Sequence, residues 1–526
     1  MKKVIVLCSV LGAVASLYAQ DTTDKGTLTG SLETNNIYYV KDNKLDASSA
    51  ASPDDHFGSN NYLKVDYSKG HFSAGIQLEG YFPALQGYDY ATYGNGKRTL
   101  LGTKYIRWED DNFGFQAGDI FDQYGSGLIF RSYEDRTLGF NNSIEGVGGH
   151  YRYKNYVSLK AMYGRPRLYL DYASSSVRGA NVNLSVSDIL SWKELNISLE
   201  GSYVNRYEDL KDNPDFVDKL TTSNLDMYAV GGSLGWKGLD ARVEYVDKGK
   251  DLPSAASVEM VKGKAILAEL GYTYNSFSAL ATYRRLENMN TMLTLTGEGS
   301  GNVLNYLPAL TRQYTYMLAN LNPYQTNAEG ESGGQADVYY SFRPASDKSK
   351  YWNLHANVSM YYSDKNLTKE SRLMWRDINV DVEHRWNKRW KTAALVSVQE
   401  WSPSHGMTDI TYASNIFVLD NTYKINRKMA LRMELQYLYS SDYEKDWMAA
   451  LVEFSIAPRW SFSVSDMYNN GSTKIHYYNG FVSYTKKNTR VQLGYGRNRA
   501  GYVCSGGVCR YSPAYTGANL VLTSSF

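Results

Sequence analysis

The side chains of this chain that could do chemistry are few: seven histidines, three cysteines and scattered clusters of charged residues. Ser404, His405 and Asp409 have the residue types of a catalytic triad and share one short stretch. Neighbouring residues on an extended chain point in opposite directions, so this stretch has no orienting pattern for a triad. Cysteine and histidine spacing typical of a metal site is also missing. The sequence therefore predicts no enzyme, no cofactor and no Cys/His metal site, and it leaves open calcium held by loop carboxylates.

Two cysteines, Cys504 and Cys509, lie near the C-terminus and flank the sequence Ser-Gly-Gly-Val. The third, Cys8, lies in an apolar N-terminal run. In an exported protein two cysteines so close together are expected to form a local disulfide. We predict a bond between Cys504 and Cys509.

The segment 118–149 is rich in glycine and carries the charged residues Arg131, Glu134, Asp135 and Arg136. Glycines allow tight bends, and these four charges can pair internally. One interpretation is an inward-folded plug or constriction, with these four as its candidate residues. The alternative is a glycine-rich external loop with solvated charges. A phosphate-binding loop is disfavoured because Gly-Lys-Ser/Thr and a following helix are both missing.

The elements that must position these residues are β-strands. In the stretch 429–439, apolar side chains alternate with Arg432, Glu434 and Gln436, and the same period of two recurs along most of the chain. Short turns alternate with connections that are usually longer, among them Lys41–Ser59, Phe82–Lys97, Asp122–Ser143, Tyr207–Ser223, Met289–Gly334 and Arg499–Ala514. This alternation is typical of an up-and-down barrel with tight periplasmic turns and long external loops. The sequence predicts an all-β protein, a single transmembrane antiparallel barrel of about 24 strands, with 20 to 26 acceptable.

Both ends of the chain fit export to the outer membrane. Lys2 and Lys3 precede an apolar run, which predicts a signal peptide over residues 1–19 and a barrel over 20–526. Without these two lysines the 56 basic residues fall to 54 and match the 54 acidic ones, so nucleic acid is a poor partner. The last strand carries Leu520, Leu522 and Phe526, which resembles the C-terminal signal read by the barrel-assembly machinery.

Aromatic residues mark the expected membrane boundaries, where indole rings concentrate. Six tryptophans flank predicted short turns: Trp108, Trp192, Trp236, Trp386, Trp390 and Trp460. Three others, Trp375, Trp401 and Trp447, lie at the opposite strand ends and are expected to form an outer girdle. The longest loop, 289–334, holds an apolar cluster of Tyr306, Leu307, Leu310, Tyr314, Tyr316, Met317 and Leu321. We expect this cluster to cap the external mouth or, alternatively, to bind a protein partner.

Three stretches carry a resemblance to a known family: Gly-Asp-Ile-Phe-Asp-Gln-Tyr-Gly-Ser-Gly-Leu at 118–128, Tyr-Glu-Asp-Arg at 133–136 and Cys-Ser-Gly-Gly-Val-Cys-Arg at 504–510. With them the chain resembles an uncharacterised family of large outer-membrane barrels of the Bacteroidetes type. The resemblance covers most of the mature chain and implies the fold and the compartment. It brings no site residues.

A wide lumen lined by charges of both signs favours a porin-like or gated channel in the cell outer membrane, because 24 strands enclose more space than side chains can fill. The alternative is a non-conducting scaffold subunit of an outer-membrane secretion or biogenesis complex. The expected partners are outer-membrane lipid and, during biogenesis, the assembly machinery. A protein partner would bind through loop 289–334.

Overall fold

The structure is a computed structural model of the 526-residue chain, and it describes residues 26–45, 56–94, 96, 98–365 and 369–526. The predicted signal peptide and part of the first long loop lie outside the described residues. No helix in the described ranges is long and apolar enough to cross a membrane. The residues described contain two short helices, α1 (Asp89–Tyr93) and α2 (Val186–Ile189).

Twenty-four strands form one closed antiparallel wall, which confirms the predicted fold class. We number them β1 to β24 in chain order. The bounds of the first twelve are Thr27–Val40, Phe57–Lys69, Phe72–Tyr81, Thr99–Glu109, Phe113–Ile120, Ile144–Tyr153, Val157–Leu168, Ser176–Ser185, Leu195–Tyr207, Asn224–Trp236, Leu239–Asp251 and Val261–Tyr274. Those of β13 to β24 are Phe277–Glu287, Gly330–Phe342, Tyr351–Ser363, Leu373–Arg385, Trp390–Trp401, Tyr412–Lys424, Met429–Tyr439, Trp447–Ile456, Trp460–Asn469, His476–Lys486, Thr489–Asn498 and Tyr515–Ser525.

The wall closes where β1 pairs with β24, from Ser31 opposite Ser525 to Val40 opposite Thr516. The backbone of Phe526 continues this seam, because it donates to and accepts from Gly30 at 2.9 Å. Closure leaves the wall without a free edge, as a sheet in a hydrocarbon environment requires.

Short and long connections alternate around the barrel as predicted. The short turns, which all lie at one end, are 70–71, 110–112, 154–156, 186–194, 237–238, 275–276, 343–350, 386–389, 425–428, 457–459 and 487–488. Two predicted segments have an end that is wrong by five residues or more. The longest loop ends at residue 329 because Gly330 already belongs to β14, and residues 118–120 and 144–149 of the predicted plug are wall residues of β5 and β6.

Side chains alternate between an apolar outer face and a polar inner face. Val230, Leu435 and Val464 on the outer face are each at least 60% exposed. The side chains between these positions point inward, and they include polar groups such as Glu200 and Glu244. An apolar outer belt around a closed barrel is what a bilayer requires.

The six tryptophans near the short turns are all more than 40% exposed, as an interfacial belt requires. The outer girdle predicted at the opposite end is wrong. Trp375 and Trp447 are buried on the inner face, and Trp401 packs against the same interior cluster as Trp375. The side chains of Trp375 and Trp447 point inward because their neighbours along the strand, Arg376 and Met448, occupy the outward positions.

Candidate functional site: the filled barrel interior

The barrel interior is occupied by two loops that leave the wall. Inner loop 1 comprises residues 121–143, between β5 and β6. It contains two tiny antiparallel ladders, Gln123–Tyr124 with Phe130–Arg131 and Glu134–Asp135 with Phe140–Asn141. Its turn crosses to the inner face of β9 and β11, where the backbone N–H groups of Gly125 and Ser126 donate to Glu200 and Glu244 at 2.9 and 2.8 Å.

Gly125 is required at this contact for two reasons. Its φ is +59°, in the left-handed region that favours glycine. A β-carbon at this position would also lie 2.4 Å from the Glu244 carboxylate. The turn and the wall carboxylates therefore fit together only without a side chain here.

Arg136 attaches inner loop 1 to the opposite side of the wall. Its guanidinium contacts Glu33 on β1 at 2.7 Å and donates to Gln77 on β3 at 2.9 Å. Glu134 lies 3.5 Å from the same guanidinium. Burial disfavours the charged form of Arg136, but the carboxylates of Glu134 and Glu33 outweigh burial and raise its pKa above the ordinary value. This arginine stays charged.

The other two residues of the charged box do not pair as expected. Arg131 is stacked between the rings of Tyr133 and Tyr306, at 4.4 and 3.9 Å from their centroids. Asp135 accepts from the backbone N–H of Thr137 at 2.9 Å, which closes a turn. Internal pairing of the four charges is therefore partial: Glu134 lies beside Arg136, whereas two tyrosine rings hold Arg131 and a backbone N–H group holds Asp135.

Inner loop 2 comprises residues 288–329, between β13 and β14. It has no regular secondary structure, so its backbone carbonyls need donors from elsewhere. Charged wall side chains supply them: Arg206 donates to the Met292 carbonyl at 2.6 Å, Lys248 to that of Asn288 at 2.9 Å and Arg284 to that of Pro308 at 2.6 Å.

These basic groups are buried and paired with wall carboxylates. Arg206 contacts Asp251 at 2.6 Å, and Arg284 contacts Glu331 at 2.7 Å. Glu331 accepts in addition from the Tyr324 hydroxyl and the Asn327 backbone, both in inner loop 2. The buried pair of Arg284 and Glu331 thus contacts the second half of inner loop 2 at both of its ends, at Pro308 and at Asn327.

The middle of inner loop 2 runs along the inner face of β16 to β19. Arg312 pairs with Asp381 at 2.5 Å, the Tyr314 hydroxyl donates to Asp377 at 2.6 Å, and the Leu318 backbone donates to Gln436 at 2.9 Å. None of the seven residues of the predicted apolar cluster is exposed. The expected cap over the mouth is wrong: the cluster lies against the inner wall, where it packs on residues such as Leu395 and Ile416.

The two inner loops support each other. The backbone N–H of Arg131 donates to the Leu304 carbonyl at 3.1 Å, and that of Tyr306 donates to Gly127 at 2.9 Å. Between them lies an apolar core that includes Phe130 and Leu304 together with inward residues of the wall. The interior is therefore packed like a protein core in this sector.

The last long connection adds a clamp at the mouth. It forms a hairpin from Gly501–Ser505 and Val508–Ser512, across which Cys504 and Cys509 are bonded to each other. At its tip the Gly507 carbonyl accepts from the Ala309 backbone at 2.7 Å. Arg510 donates to the Thr137 carbonyl at 2.8 Å. The hairpin thus contacts both inner loops.

Cavities remain in parts of the interior. A cavity of about 550 Å³ lies between inner loop 2, the hairpin and the inner wall of β1 and β21 to β24. It extends from Tyr502 in the hairpin to Phe481 and Val521, about halfway along their strands. The inward residues of this wall are mostly uncharged, and they include Asn35, Ser461, Ser463, Ser465, Asn479, Ser483, Gln492, Asn498, Asn519 and Thr523.

A second cavity, of about 710 Å³, lies on the other side of inner loop 2 against β13 to β16. Its lining is charged and includes Asp337, His355, Asp381 and Glu383. His355 bridges Asp337 and Asp381, with both distances at 2.9 Å. This lining is engaged in structural ion pairs that also hold Arg312.

The histidine, serine and aspartate singled out in the sequence have other partners. Ser404 is hydrogen-bonded to Thr408 at 2.8 Å, and Asp409 pairs with Arg372 at 2.6 Å. Burial lowers the pKa of His405. Within the described residues no group of three or more His, Cys, Asp or Glu side chains could hold a metal ion.

The C-terminal residues lie where the last strand places them. Leu520 pairs with Leu493, which is exposed on the outer face, so Leu520 and Leu522 face outward. The Phe526 ring lies against Gly30, where a β-carbon would approach it to 2.3 Å. Their role as an assembly signal stays a prediction.

The anchors of inner loop 2 were missed in the sequence. Arg206 and Lys248 were not singled out there, because both are charged residues near strand ends. The signal that could have found them is the period-two alternation, which places both side chains on the inner face beside the loop end of their strands.

The chain belongs to a family of unknown function, DUF6029, whose model matches residues 1–526. No curated protein sequence matches it significantly. Among solved structures it is similar to the translocation pore of the P pilus usher PapC, with 10% identity over 95% of this chain and 99% of that one and a TM-score of 0.44. It is also similar to OccK3 of Pseudomonas aeruginosa, with 11% identity, 95% of each chain and a TM-score of 0.36, and to OccAB3 of Acinetobacter baumannii, with 10% identity, 95% and 98% coverage and a TM-score of 0.37.

Proposed function

We propose that this barrel is an outer-membrane channel in which two inner loops block most of the lumen and solutes pass between inner loop 2 and the wall of β1 and β21 to β24. The observation that carries the proposal is the cavity of about 550 Å³ between inner loop 2 and the wall of β1 and β21 to β24. A closed apolar-belted barrel supports the membrane location. The signal peptide and the Bacteroidetes origin stay predictions, as does the periplasmic side of the short turns.

The inner loops act as a fixed constriction in this proposal. Arg136 ties inner loop 1 to two strands, and Arg206, Lys248 and Arg284 tie inner loop 2 to three. Breaking a buried ion pair by removing one partner typically costs about 3–5 kcal/mol. Spontaneous release of a loop held by several such groups is therefore rare, and the current through the barrel should be small and steady.

Purified protein in planar bilayers tests the proposal. We expect a small steady conductance, far below that of an open pore of this strand number. In Asn479→Cys a thiol reagent should reduce the current, because Asn479 lines the cavity. The matched control is Ser397→Cys, whose side chain is buried behind Tyr314 and should not react. Equal effects on both variants, or none on Asn479→Cys, would contradict this route.

The alternative of a non-conducting scaffold is favoured by one observation, the extent to which buried contacts fill the interior. The same recording separates the two. Electrical silence of correctly folded protein, together with co-purifying envelope proteins, would support the scaffold and contradict the channel.

A further inference from the structure

The open cavity differs in chemistry from the rest of the interior. Elsewhere the inner wall presents carboxylates and basic groups that hold the loops. Around this cavity the polar groups are mainly amides and phenols: Asn35, Gln86, Asn320, Asn479, Asn498 and Asn519, with Tyr39, Tyr88, Tyr316, Tyr477, Tyr502 and Tyr515. No Asp, Glu or Lys is among the described residues that line it.

The three arginines at its edge are largely neutralised or engaged. Arg497 contacts Asp42 at 2.7 Å, and Arg499 contacts Glu444 at 3.0 Å. Arg510 donates to two backbone carbonyls and lies over the Tyr88 ring at 3.9 Å. Carboxylates therefore offset the charges of Arg497 and Arg499, and the remaining charge of Arg510 lies at the hairpin edge of the cavity, which limits electrostatic steering of ions along it.

The aromatic rings of the cavity are held in place. Tyr39 and Tyr515 meet edge to face at 5.6 Å, and Tyr477 stacks on Trp447 at 6.0 Å. Rings fixed in this way offer apolar faces for stacking with no loss of side-chain freedom on binding. A ligand that suits them has a flat apolar face next to polar edges.

The amide side chains of this lining can each donate and accept a hydrogen bond, and Asn35, Asn320 and Asn479 are each partly exposed. A hydroxyl group also donates and accepts, whereas a carboxylate only accepts and an ammonium group only donates. Hydroxyl groups therefore match these amides in both roles, and either kind of ion matches them in one.

We propose that this cavity recognises neutral, hydroxyl-rich solutes with apolar ring faces, that is, short uncharged oligosaccharides. The inference rests on the proposed channel and names its substrate class. A volume of about 550 Å³ is suitable, since small-molecule sites typically measure about 300–1,000 Å³.

Ion-current recording with added sugar tests the inference. Maltotriose should interrupt the current of the parent channel, and trigalacturonate, which has the same number of rings but three carboxylates, should do so much more weakly. Tyr477→Ala should weaken the maltotriose block about threefold to tenfold, the range of one aromatic contact. The matched control is Tyr495→Ala, which removes a ring from the outer face of β23 and should leave the block unchanged.

The outcomes separate this inference from the proposed channel. A steady current that neither sugar interrupts would leave the channel standing and overturn the substrate class, and so would a block by trigalacturonate as strong as that by maltotriose. If no current is seen the channel fails. Isothermal titration of the detergent-solubilised protein with maltotriose then decides: binding that Tyr477→Ala weakens supports the recognition site, and no binding overturns it.

Discussion

Removing the carboxylate of Glu331 should open the barrel without unfolding it. This group is fully buried and accepts from Arg284 at 2.7 Å, Tyr324 at 2.6 Å and the Asn327 backbone at 2.8 Å. Glu331→Ala leaves the guanidinium of Arg284 buried beside it without its ion-pair partner. Truncating one partner of a buried pair costs about 3–5 kcal/mol.

The cost should fall on inner loop 2 rather than on the wall. The ladder between β13 and β14 runs from Phe277 opposite Tyr340 to Glu287 opposite Gly330, and its backbone hydrogen bonds do not involve the carboxylate. The equilibrium between released and docked loop should therefore shift by roughly 150-fold to 4,000-fold toward release.

Two assays report this shift. In planar bilayers Glu331→Ala should show a larger and noisier current than the parent. On intact cells an external protease should cut within residues 288–329 of the variant but not of the parent. The heat-modifiable gel mobility of a folded barrel should be retained, which shows that the wall is intact.

The control removes the charge from both partners. Arg284→Met combined with Glu331→Gln leaves no unpaired buried charge, and such replacements are often near neutral. It should behave closer to the parent than Glu331→Ala does. If Glu331→Ala assembles normally and stays as closed and as protease-resistant as the parent, the argument that this pair holds the loop is refuted.

Four further outcomes are expected. Arg136→Ala should increase the current less than Glu331→Ala, because inner loop 1 keeps its contacts with β9 and β11; an unchanged current would show that Arg136 does not hold the constriction. Alkylation without reductant, followed by intact-mass analysis, should modify neither Cys504 nor Cys509 in the mature protein, and two added groups would exclude their bond. Asp212→Cys in loop 208–223 should be labelled on intact cells, whereas labelling only after the outer membrane is broken would invert the topology. Partial burial would raise the pKa of Asp42, but hydrogen bonds, led by the one from Arg497, lower this pKa from 3.8 to about 2. The ionised carboxylate therefore stabilises the folded barrel fully above pH 3.8, and this stabilisation is lost as the pH falls from 3.8 to about 2. The heat-modification temperature should consequently fall less with decreasing pH in Asp42→Asn than in the parent.

The wall could be predicted from the sequence almost completely. Its period of two and the alternation of short and long connections are local signals, and they placed all eleven short turns within a few residues. They are strong because one residue of slippage would exchange the lipid face for the lumen face. The same alternation predicts inward positions for Glu200, Arg284 and Asp377, and in the structure all three contact the inner loops.

The interior could not be predicted in the same way. The apolar cluster of inner loop 2 predicted that these residues are buried. A loop that covers the mouth and a loop that packs against the inner wall need the same apolar residue types, so composition could not distinguish the two locations. Arg206 and Lys248 donate hydrogen bonds to backbone carbonyls of the loop. Every residue has such a carbonyl, so the sequence does not indicate which residues of the loop accept these bonds. The positions predicted for Trp375 and Trp447 are wrong because a tryptophan near the end of a strand can pack in either of two apolar surroundings, the membrane boundary outside the barrel or the filled lumen inside it.

The contacts of inner loop 2 also constrain the order of assembly. Residues of this loop bond to Arg206 of β9, which is 86 residues from Met292, and, through Leu321 and Ala309, to Arg499 and the hairpin that follows β23; Leu321 and Arg499 are 178 residues apart. Partners so distant in sequence come together late, because long-range contacts require prior closure of large loops. The contacts of this loop with Arg499 and the hairpin can therefore form only once the C-terminal strands are in place, later than its contacts with β9, β11 and β13.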